Sequence, residues 1–387
     1  MKKILILVAG ESNLPFIESA KQLGLYVITC DNNVLNPGHK IADESLFIDV
    51  YDHELIIETI KDKNIDCVMS FVSAHGLNSA SIISEHFHLK GYTQYTLKTL
   101  INKALFRDFL SKFNLNFPAY QYVHNLDEIN FEQLTYPVII KPTDKGGSQG
   151  VIKINTKHEL ISKFQTSIDF SDSDEVIIEE FIAGEAMING DCLIYNGEII
   201  CYMIGDYIYD NETNKVLPIA TVFPTEHDIS GAFKQILTIV KILNIPDGII
   251  NFEVIIKNNI PYIIEINPRP SGNYIWKLMG YKFRIDIPSL LINIYLATDN
   301  PKIEILKSNS YSYAYQLIYT DKNKRFIRFE LPVSLEQDIL DKMIFKQINE
   351  DIFVFKNLLD RVGLILMEFK DDEKRKFYTE NINLFRI

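Results

Sequence analysis

Two carboxylates and one amide lie in apolar surroundings in the segment NFEVIIKNNIPYIIEINPRPSG, which covers residues 251–272. They are Glu253, Glu265 and Asn267, and charged side chains are rarely found among apolar residues without a partner. Glu265 and Asn267 are two positions apart, so on a strand they share one face. Oxygen ligands of this kind suit Mg²⁺. The segment therefore predicts a magnesium site, and a solvated sheet face is the alternative.

The register of the predicted hairpin decides whether Glu253 joins this site. A loop of odd length places it directly opposite Glu265, whereas a two-residue turn moves it to the other face. Asn258 and Asn259 tolerate the left-handed conformation that a three-residue bulged turn uses. We therefore expect a loop of odd length.

A glycine-rich turn follows a lysine in VIIKPTDKGGSQGV, residues 138–151. Lys141 ends an apolar strand, and backbone amides of a glycine-rich loop can approach phosphate oxygens closely. A flexible hairpin is the alternative, since the segment is not a Walker motif. The small residues of this candidate phosphate loop are Gly146, Gly147, Ser148 and Gly150.

Two further segments carry candidate binding groups. In VIIEEFIAGEA, residues 176–186, the backbone near Phe181 and Ile182 could contact an adenine edge, and Glu185 could accept both ribose hydroxyls. By itself this segment is an ordinary strand end. Arg269 follows the strand that carries Glu265, and its planar fork could hold a phosphoryl group or a substrate carboxylate. A surface ion pair is the alternative for this arginine.

The elements that must position these residues change in kind along the chain. Up to about residue 95, apolar strands alternate with helices, which predicts a parallel sheet covered by helices. A single helix is expected from Thr99 to Phe113. Beyond it, strands follow one another as hairpins around single helices, which indicates an α+β arrangement. The last ninety residues contain no assignable motif.

Composition excludes several classes of protein. The chain has 387 residues, 47% of them hydrophobic, and a formal net charge of -12. This charge argues against nucleic-acid binding, which needs clustered Lys and Arg. No apolar stretch approaches the ~20 residues of a membrane span. Four cysteines without metal-ligand spacing fit a reducing compartment, so a cytoplasmic location is expected.

The segments NKALFRDFL, VIIKP, GGSQG, EEFIAGE, NFEVII and EINPRPSG occur in an order and spacing that resemble the ATP-grasp superfamily. The resemblance is to the branch that contains biotin carboxylase and carbamoyl-phosphate synthase, and it covers residues 1 to about 300. It implies three units: a Rossmann-like pre-ATP-grasp domain (1–95), a small lobe with a glycine-rich lid (96–182) and a large lobe with the magnesium site (183–300). Residues 301–387 have no counterpart in the resemblance and are expected to form a small α+β region of unknown role.

The resemblance also implies roles for individual residues. Lys103 and Lys141 would bind ATP phosphates, and the loop from Gly146 to Gly150 would be a mobile lid. Glu179 would hold the adenine amino group and Glu185 the ribose, with the backbone of Phe181 and Ile182 at the adenine edge. Arg269 would steady the transferring phosphate. Glu253, Glu265 and Asn267 would hold two Mg²⁺ ions, for which Mn²⁺ is an alternative. The NGDC stretch around Asp191 departs from the family's usual sequence.

The expected function is an ADP-forming carbon–nitrogen ligase. It would activate a carboxylate as an acyl phosphate for attack by an amine, with an amino acid or a biosynthetic acid as substrate. Bicarbonate activation or another phosphoryl transfer is the alternative within the fold. An NAD-binding dehydrogenase is weaker because the first turn lacks G-x-G-x-x-G. A nucleotide-binding protein without catalysis also stays open. The expected partners are small molecules, not nucleic acid or a membrane, and a homodimer is left open.

Overall fold

The computed structural model of the protein describes residues 1–210, 214–296, 309–331 and 333–387. The predicted boundary at residues 300 and 301 lies outside these ranges. Among the described residues, no helix is both long and apolar enough to cross a membrane.

A parallel four-stranded sheet forms the N-terminal unit, as the alternating pattern predicts. Its strand order is β3-β2-β1-β4, and helices separate the strands along the chain. Every residue from Ile4 to Leu7 is fully buried because both faces of the sheet are covered. The elements are β1 Lys3–Leu7, α1 Leu14–Gln22, β2 Tyr26–Cys30, β3 Glu44–Leu46, α2 His53–Ile60, β4 Cys67–Met69 and α3 Ala74–His86.

The small lobe contains an antiparallel sheet with the strand order β5-β8-β6-β7. One side of this sheet packs on α6 through an apolar cluster that includes Ile140, Leu160 and Ile178. The elements are α4 Gln94–Ile101, α5 Lys103–Lys112, β5 Tyr120–Val123, β6 Val138–Pro142, β7 Ile152–Ile154, α6 Lys157–Ile168 and β8 Val176–Glu180.

The prediction of one helix from Thr99 to Phe113 was wrong, because the chain breaks at Asn102. This residue has an extended backbone, and its side chain accepts a hydrogen bond from the Leu105 amide. Asn102 thus caps a new helix. The cap makes Lys103 the first residue of α5, where its own amide donates to the Thr143 carbonyl beside the glycine-rich turn.

An antiparallel eight-stranded sheet forms the rest of the molecule, in the order β13-β12-β9-β10-β11-β14-β18-β16. Strands from both sides of residue 300 therefore belong to one sheet, since β11 pairs directly with β14. The elements are β9 Ala186–Tyr195, β10 Glu198–Asp210, β11 Asn214–Phe223, α7 Ser230–Ile242, β12 Gly248–Lys257, β13 Ile260–Asn267, α8 Ile275–Phe283, α9 Ile287–Tyr295, β14 Ser312–Ile318, β15 Lys324–Arg325, β16 Ile339–Ile344, β17 Asp351–Ile352, β18 Gly363–Phe369 and α10 Asp372–Glu380.

Candidate functional site

A cleft of about 1010 Å³ lies between the small-lobe sheet and the face of the large sheet that β9 to β13 form. The structure brings all but one of the candidate binding, catalytic and metal-ligating residues to this cleft. Gly150 is the exception. The predicted residues among its lining are Lys103, Lys141, Gly146, Gly147, Ser148, Glu179, Phe181, Ile182, Glu185, Glu253, Glu265, Asn267 and Arg269.

The wall formed by the small lobe carries a chain of buried charges. The Lys141 ammonium lies 2.6 Å from one oxygen of Glu179, and the Arg107 Nε lies 2.8 Å from the other. Burial alone would raise the pKa of Glu179, but the two cations lower it to about 2. Glu179 is therefore ionised and holds Lys141 at the edge of the cleft.

These contacts bear on the role expected for Glu179, which stays a prediction. Both carboxylate oxygens are engaged by cations, and the side chain is 3% exposed. An adenine amino group would have to compete with Arg107 and Lys141 for the same oxygens. The geometry favours a role for Glu179 in positioning Lys141 over a direct contact with the base.

Lys103 completes the cationic wall from the first turn of α5. Its ammonium donates to the Lys145 carbonyl at the start of the glycine-rich turn. Burial lowers the pKa of Lys103, while the nearby Glu265 carboxylate opposes this effect. Lys103 therefore lies between the small-lobe wall and the metal-ligand candidates of the large sheet.

The glycine-rich turn is anchored at its base and open at its tip. Gly147 and Ser148 both have positive φ, and an added Cβ at Gly147 would meet no atom within 4 Å. A Cβ on Gly150 would instead approach Pro142 and Phe170 at 2.9 and 3.1 Å. Gly150 is needed for close packing at the base of the turn, whereas the tip faces the cleft.

In the segment after β8, only some of the backbone groups expected to contact adenine are free to do so. The Phe181 amide already donates to the Pro137 carbonyl at 3.2 Å. The Lys153 ammonium lies over the Phe181 ring, 3.6 Å from its centroid. Both oxygens of the exposed Glu185 accept from the Asn258 amide, at 2.9 and 3.0 Å. The carboxylate of Glu185 would have to exchange this contact to bind a ribose.

The expected odd-length loop between β12 and β13 was wrong. Lys257 pairs with Ile260, so the turn has two residues, and both Asn258 and Asn259 have positive φ as in a type I′ turn. A β-bulge restores the register further along, because Ile264 is the extra residue between two paired positions. Glu253 consequently lies directly opposite Glu265.

The two paired glutamates form an acidic patch on the large sheet. The Tyr207 hydroxyl donates to Glu253 Oε1 at 2.6 Å, which fixes the orientation of that carboxylate. Burial raises the pKa of Glu253, and the Glu265 carboxylate raises it further. Two carboxylates this close repel each other unless a cation lies between them.

A second polar row lies beside the glutamates. Asp191 on β9 pairs with Asn251 on β12, and Asn251 pairs with Asn267 on β13. The Asn267 amide nitrogen donates to Asn251 Oδ1 at 3.3 Å, so its carbonyl oxygen is the atom that can reach a metal. Asp191 is fully buried and accepts hydrogen bonds from Asn251 and from the Ser271 amide. Burial raises the pKa of Asp191 to about 7.

Two arginines line the cleft without an ion-pair partner among the described residues. Burial lowers the pKa of Arg269, and its Nη1 donates to the Pro270 carbonyl at 2.9 Å. Arg361 donates to Asn273 Oδ1 at 2.7 Å and stacks 4.9 Å from the Phe345 ring. No motif surrounds Arg361 in the sequence. Only its place before β18, beside the cleft, reveals it.

The donor atoms on the large sheet fit Mg²⁺. Glu253, Glu265 and Asn267 offer hard oxygen ligands, and Mg²⁺ binds a few such ligands together with water and phosphate. No cluster of three His, Cys, Asp or Glu side chains occurs in the part of the chain that the structure describes. The candidate site has two carboxylates and one amide, so phosphate oxygens and water would supply the remaining ligands.

Comparison with known proteins agrees with this geometry. Residues 100–273 match the family model of the ATP-grasp domain. This segment of the chain is therefore similar to the ATP-grasp domain. Its fold class, a Rossmann-like parallel sheet followed by the two lobes of the ATP-grasp fold, is confirmed.

Individual relatives extend the likeness beyond the ATP-grasp domain. The formate-dependent phosphoribosylglycinamide formyltransferase of Prochlorococcus marinus is 27% identical over 331 residues, which cover 83% of this chain and 82% of that protein. The carbamoyl phosphate synthase large chain of Caldanaerobacter subterraneus is 22% identical, over 65% of this chain and 24% of that one. The L-amino acid ligase of Bacillus licheniformis superposes with a TM-score of 0.84 at 18% identity, covering 100% of this chain and 98% of that one. At this identity, the superposition establishes the fold alone.

Proposed function

We propose that this protein is an ATP-dependent, ADP-forming ligase that activates a carboxylate as an acyl phosphate and transfers the acyl group to an amine. One observation carries this proposal. Across a single cleft, Lys103 and Lys141 face the paired carboxylates of Glu253 and Glu265. Cations on one wall and hard oxygen ligands on the other suit a magnesium-bound polyphosphate.

The chain's own residues position the reacting groups. Lys103 and Lys141 hold phosphate oxygens, with Lys141 kept in place by Glu179. Glu253, Glu265 and Asn267 would hold two Mg²⁺ ions, which neutralise the charge that develops on the phosphates. Arg269 lies just beyond the ligand strand and orients the transferring phosphoryl group through its planar fork.

The chemical steps need no nucleophilic side chain. A carboxylate oxygen of the substrate attacks the γ-phosphorus, the bond to the β-phosphate oxygen breaks, and ADP leaves. The amine then attacks the acyl carbon, inorganic phosphate departs, and the nitrogen loses a proton. Catalysis rests on positioning and electrostatics. The tip of the glycine-rich turn, Gly146–Ser148, excludes water when it closes over the phosphates.

The nucleotide base would bind along the segment after β8. Because the Phe181 amide is engaged, the Phe181 carbonyl and the Ile182 amide are the backbone groups assigned to the adenine edge. Glu185 would release the Asn258 amide to accept the ribose hydroxyls.

Arg361 is assigned to an anionic group of the acid or of the amine substrate. A largely buried guanidinium without a carboxylate partner is costly, and a bound anion would compensate it. The sequence relative supports a small acid as the activated group, since it is named as a formate-dependent enzyme.

Trapping with hydroxylamine tests the proposed function. Purified protein is incubated with ATP, Mg²⁺, pooled carboxylates and hydroxylamine, and ADP and hydroxamates are measured, with Glu265→Gln as the control. Hydroxamate formed by the wild type alone supports the proposal and identifies the acid. ADP release without hydroxamate would indicate bicarbonate or another acceptor. ATP binding without turnover would overturn the proposal in favour of a non-catalytic protein.

A further inference from the structure

Arg107 is a fully buried cation that belongs to the segment NKALFRDFL but has no role assigned from the sequence. It lies on α5, one turn after Lys103, and its side chain is 0% exposed. Its contacts run in two directions. The Nε lies 2.8 Å from a Glu179 oxygen, and the Nη2 donates to the Ile264 carbonyl at 2.8 Å. One side chain thus touches both walls of the cleft.

The first contact acts on the phosphate side. Glu179 shares its two oxygens between Arg107 and Lys141, so the position of the carboxylate determines where the lysine ammonium can lie. The carboxylate carries one negative charge against two cations. If Arg107 were absent, Glu179 would be free to turn, and the Lys141 ammonium would lose its fixed position at the cleft.

The second contact acts on the metal side. Ile264 is the extra residue of the β-bulge, and the bulge is what places Glu253 opposite Glu265. The bulge carbonyl accepts from Arg107, and the amide of the preceding Ile263 donates to the Asn116 carbonyl. Both contacts come from the small-lobe side. A strand without the bulge would shift by one residue and turn its side chains to the opposite face.

We propose that Arg107 is a positioning residue that couples the phosphate-binding lysine to the metal-binding glutamates. This proposal rests on the proposed function, because it assigns those roles to Lys141 and to Glu253 and Glu265. A lysine at position 107 would keep the charge, but it lacks the planar fork that reaches a carboxylate and a carbonyl in different directions. The coupling therefore requires a guanidinium.

The test measures each wall separately, without turnover. Arg107→Lys is the main variant, because it keeps the buried charge, and Arg107→Met is its apolar counterpart. Arg328→Met serves as the control, since Arg328 is an arginine whose side chain is 75% exposed. ADP affinity without metal is measured by calorimetry, Mn²⁺ affinity by electron paramagnetic resonance, and folding by circular dichroism.

We expect Arg107→Lys to fold and to weaken ADP and Mn²⁺ binding by about tenfold each, because both walls lose an anchor. The Arg328→Met variant should match the wild type within twofold. An Arg107→Lys protein with a lower melting temperature, but with both affinities within twofold of wild type, would overturn the proposal and leave Arg107 a purely structural residue.

A double variant separates the effect of Arg107 on Lys141 from its effect on the metal-binding glutamates. If Arg107 acts on the lysine through Glu179, then adding Arg107→Lys to Glu179→Gln should change ADP affinity by less than twofold, while Mn²⁺ binding still weakens about tenfold. Additive losses of ADP affinity would overturn the route through Glu179. A wild type that binds ADP and Mn²⁺ but forms no hydroxamate would contradict the proposed function while the coupling is still measured. A wild type that binds neither probe would overturn both.

Discussion

The two walls of the cleft differ in the charged groups that surround their buried carboxylates. On the small-lobe wall, Glu179 lies between Arg107 and Lys141, and these cations lower its pKa to about 2. On the large sheet, Glu253 and Asp191 have hydrogen-bond donors but no ion-pair partner among the described residues, and burial raises both pKa values. Burial acts in the same direction on all three groups, so the neighbouring charges decide the outcome.

This difference shows which wall already compensates its buried negative charge. The small-lobe wall has already compensated its buried carboxylate and presents a surplus of positive charge to the cleft. The large sheet holds paired glutamates that repel each other, which is costly until a cation binds. In a magnesium-bound polyphosphate, the phosphates would compensate the lysines of the small-lobe wall and the metal would compensate the glutamates of the large sheet.

Neutralising one of the two paired glutamates should have the largest effect on activity. We expect Glu265→Gln to reduce ATP turnover by roughly 10⁴-fold, or about 5 kcal/mol of transition-state stabilisation, because a metal ligand is lost. The thermal stability of the variant without metal should stay equal or rise, since Glu253 loses its like-charged neighbour. Steady-state ADP release and melting temperature check this. Turnover within tenfold of wild type would show that the metal lies elsewhere.

Asp191 allows the uncompensated charge of the large sheet to be tested through the pH dependence of the free energy of unfolding. Its folded pKa of about 7 lies above its ordinary value of 3.8. The folded state therefore keeps a proton that the unfolded chain releases, and stability from this group is lost as pH rises from about 4 to 7. The loss is at most about 4 kcal/mol. Asp191→Asn should remove it, as measured by urea unfolding across this pH range. An unchanged pH profile would contradict the assignment.

Glu179 should show the opposite pH dependence. Its folded pKa of about 2 lies below its ordinary value of 4.5, so its contribution is present above that value and is lost as pH falls towards 2. The contribution is about 3 kcal/mol. Glu179→Gln should be less stable at neutral pH, because two cations lose their partner, yet it should lose about 3 kcal/mol less on acidification. Equal acid sensitivity in urea unfolding would argue against this pairing.

Arg361 should give the smallest effect and a selective one. We expect Arg361→Met to raise the KM of the acid or of the amine by about tenfold to 100-fold, because one charge-assisted contact is worth roughly 1.5–3 kcal/mol. The KM for ATP should change by less than twofold, since Arg361 contacts Gly272 and Asn273 and none of the residues assigned to ATP. Initial-rate kinetics with each substrate varied in turn check this, with Arg328→Met as the matched surface control. A raised KM for ATP alone would place Arg361 at the nucleotide instead.

Much of the candidate site could be predicted because its residues belong to short local patterns. Lys141 at a strand end, the small residues after it, and the spacing of Glu265 and Asn267 each follow from local geometry alone. The ion pairs of Glu179 could not be predicted, because its partners come from α5 and β6, far from it in sequence. Arg107 and Arg361 were missed for the same reason.

The sequence by itself determined the parallel character of the first sheet, the succession of hairpins after it and all but one of the candidate site residues that the cleft brings together. These follow from hydrophobic period and turn chemistry, which act over a few residues. Only the tertiary structure decided that the turn has two residues, that a bulge at Ile264 restores the register, and that Arg107 contacts both walls. A bulge carbonyl needs a donor from a distant element, and no local pattern in the strand can specify one.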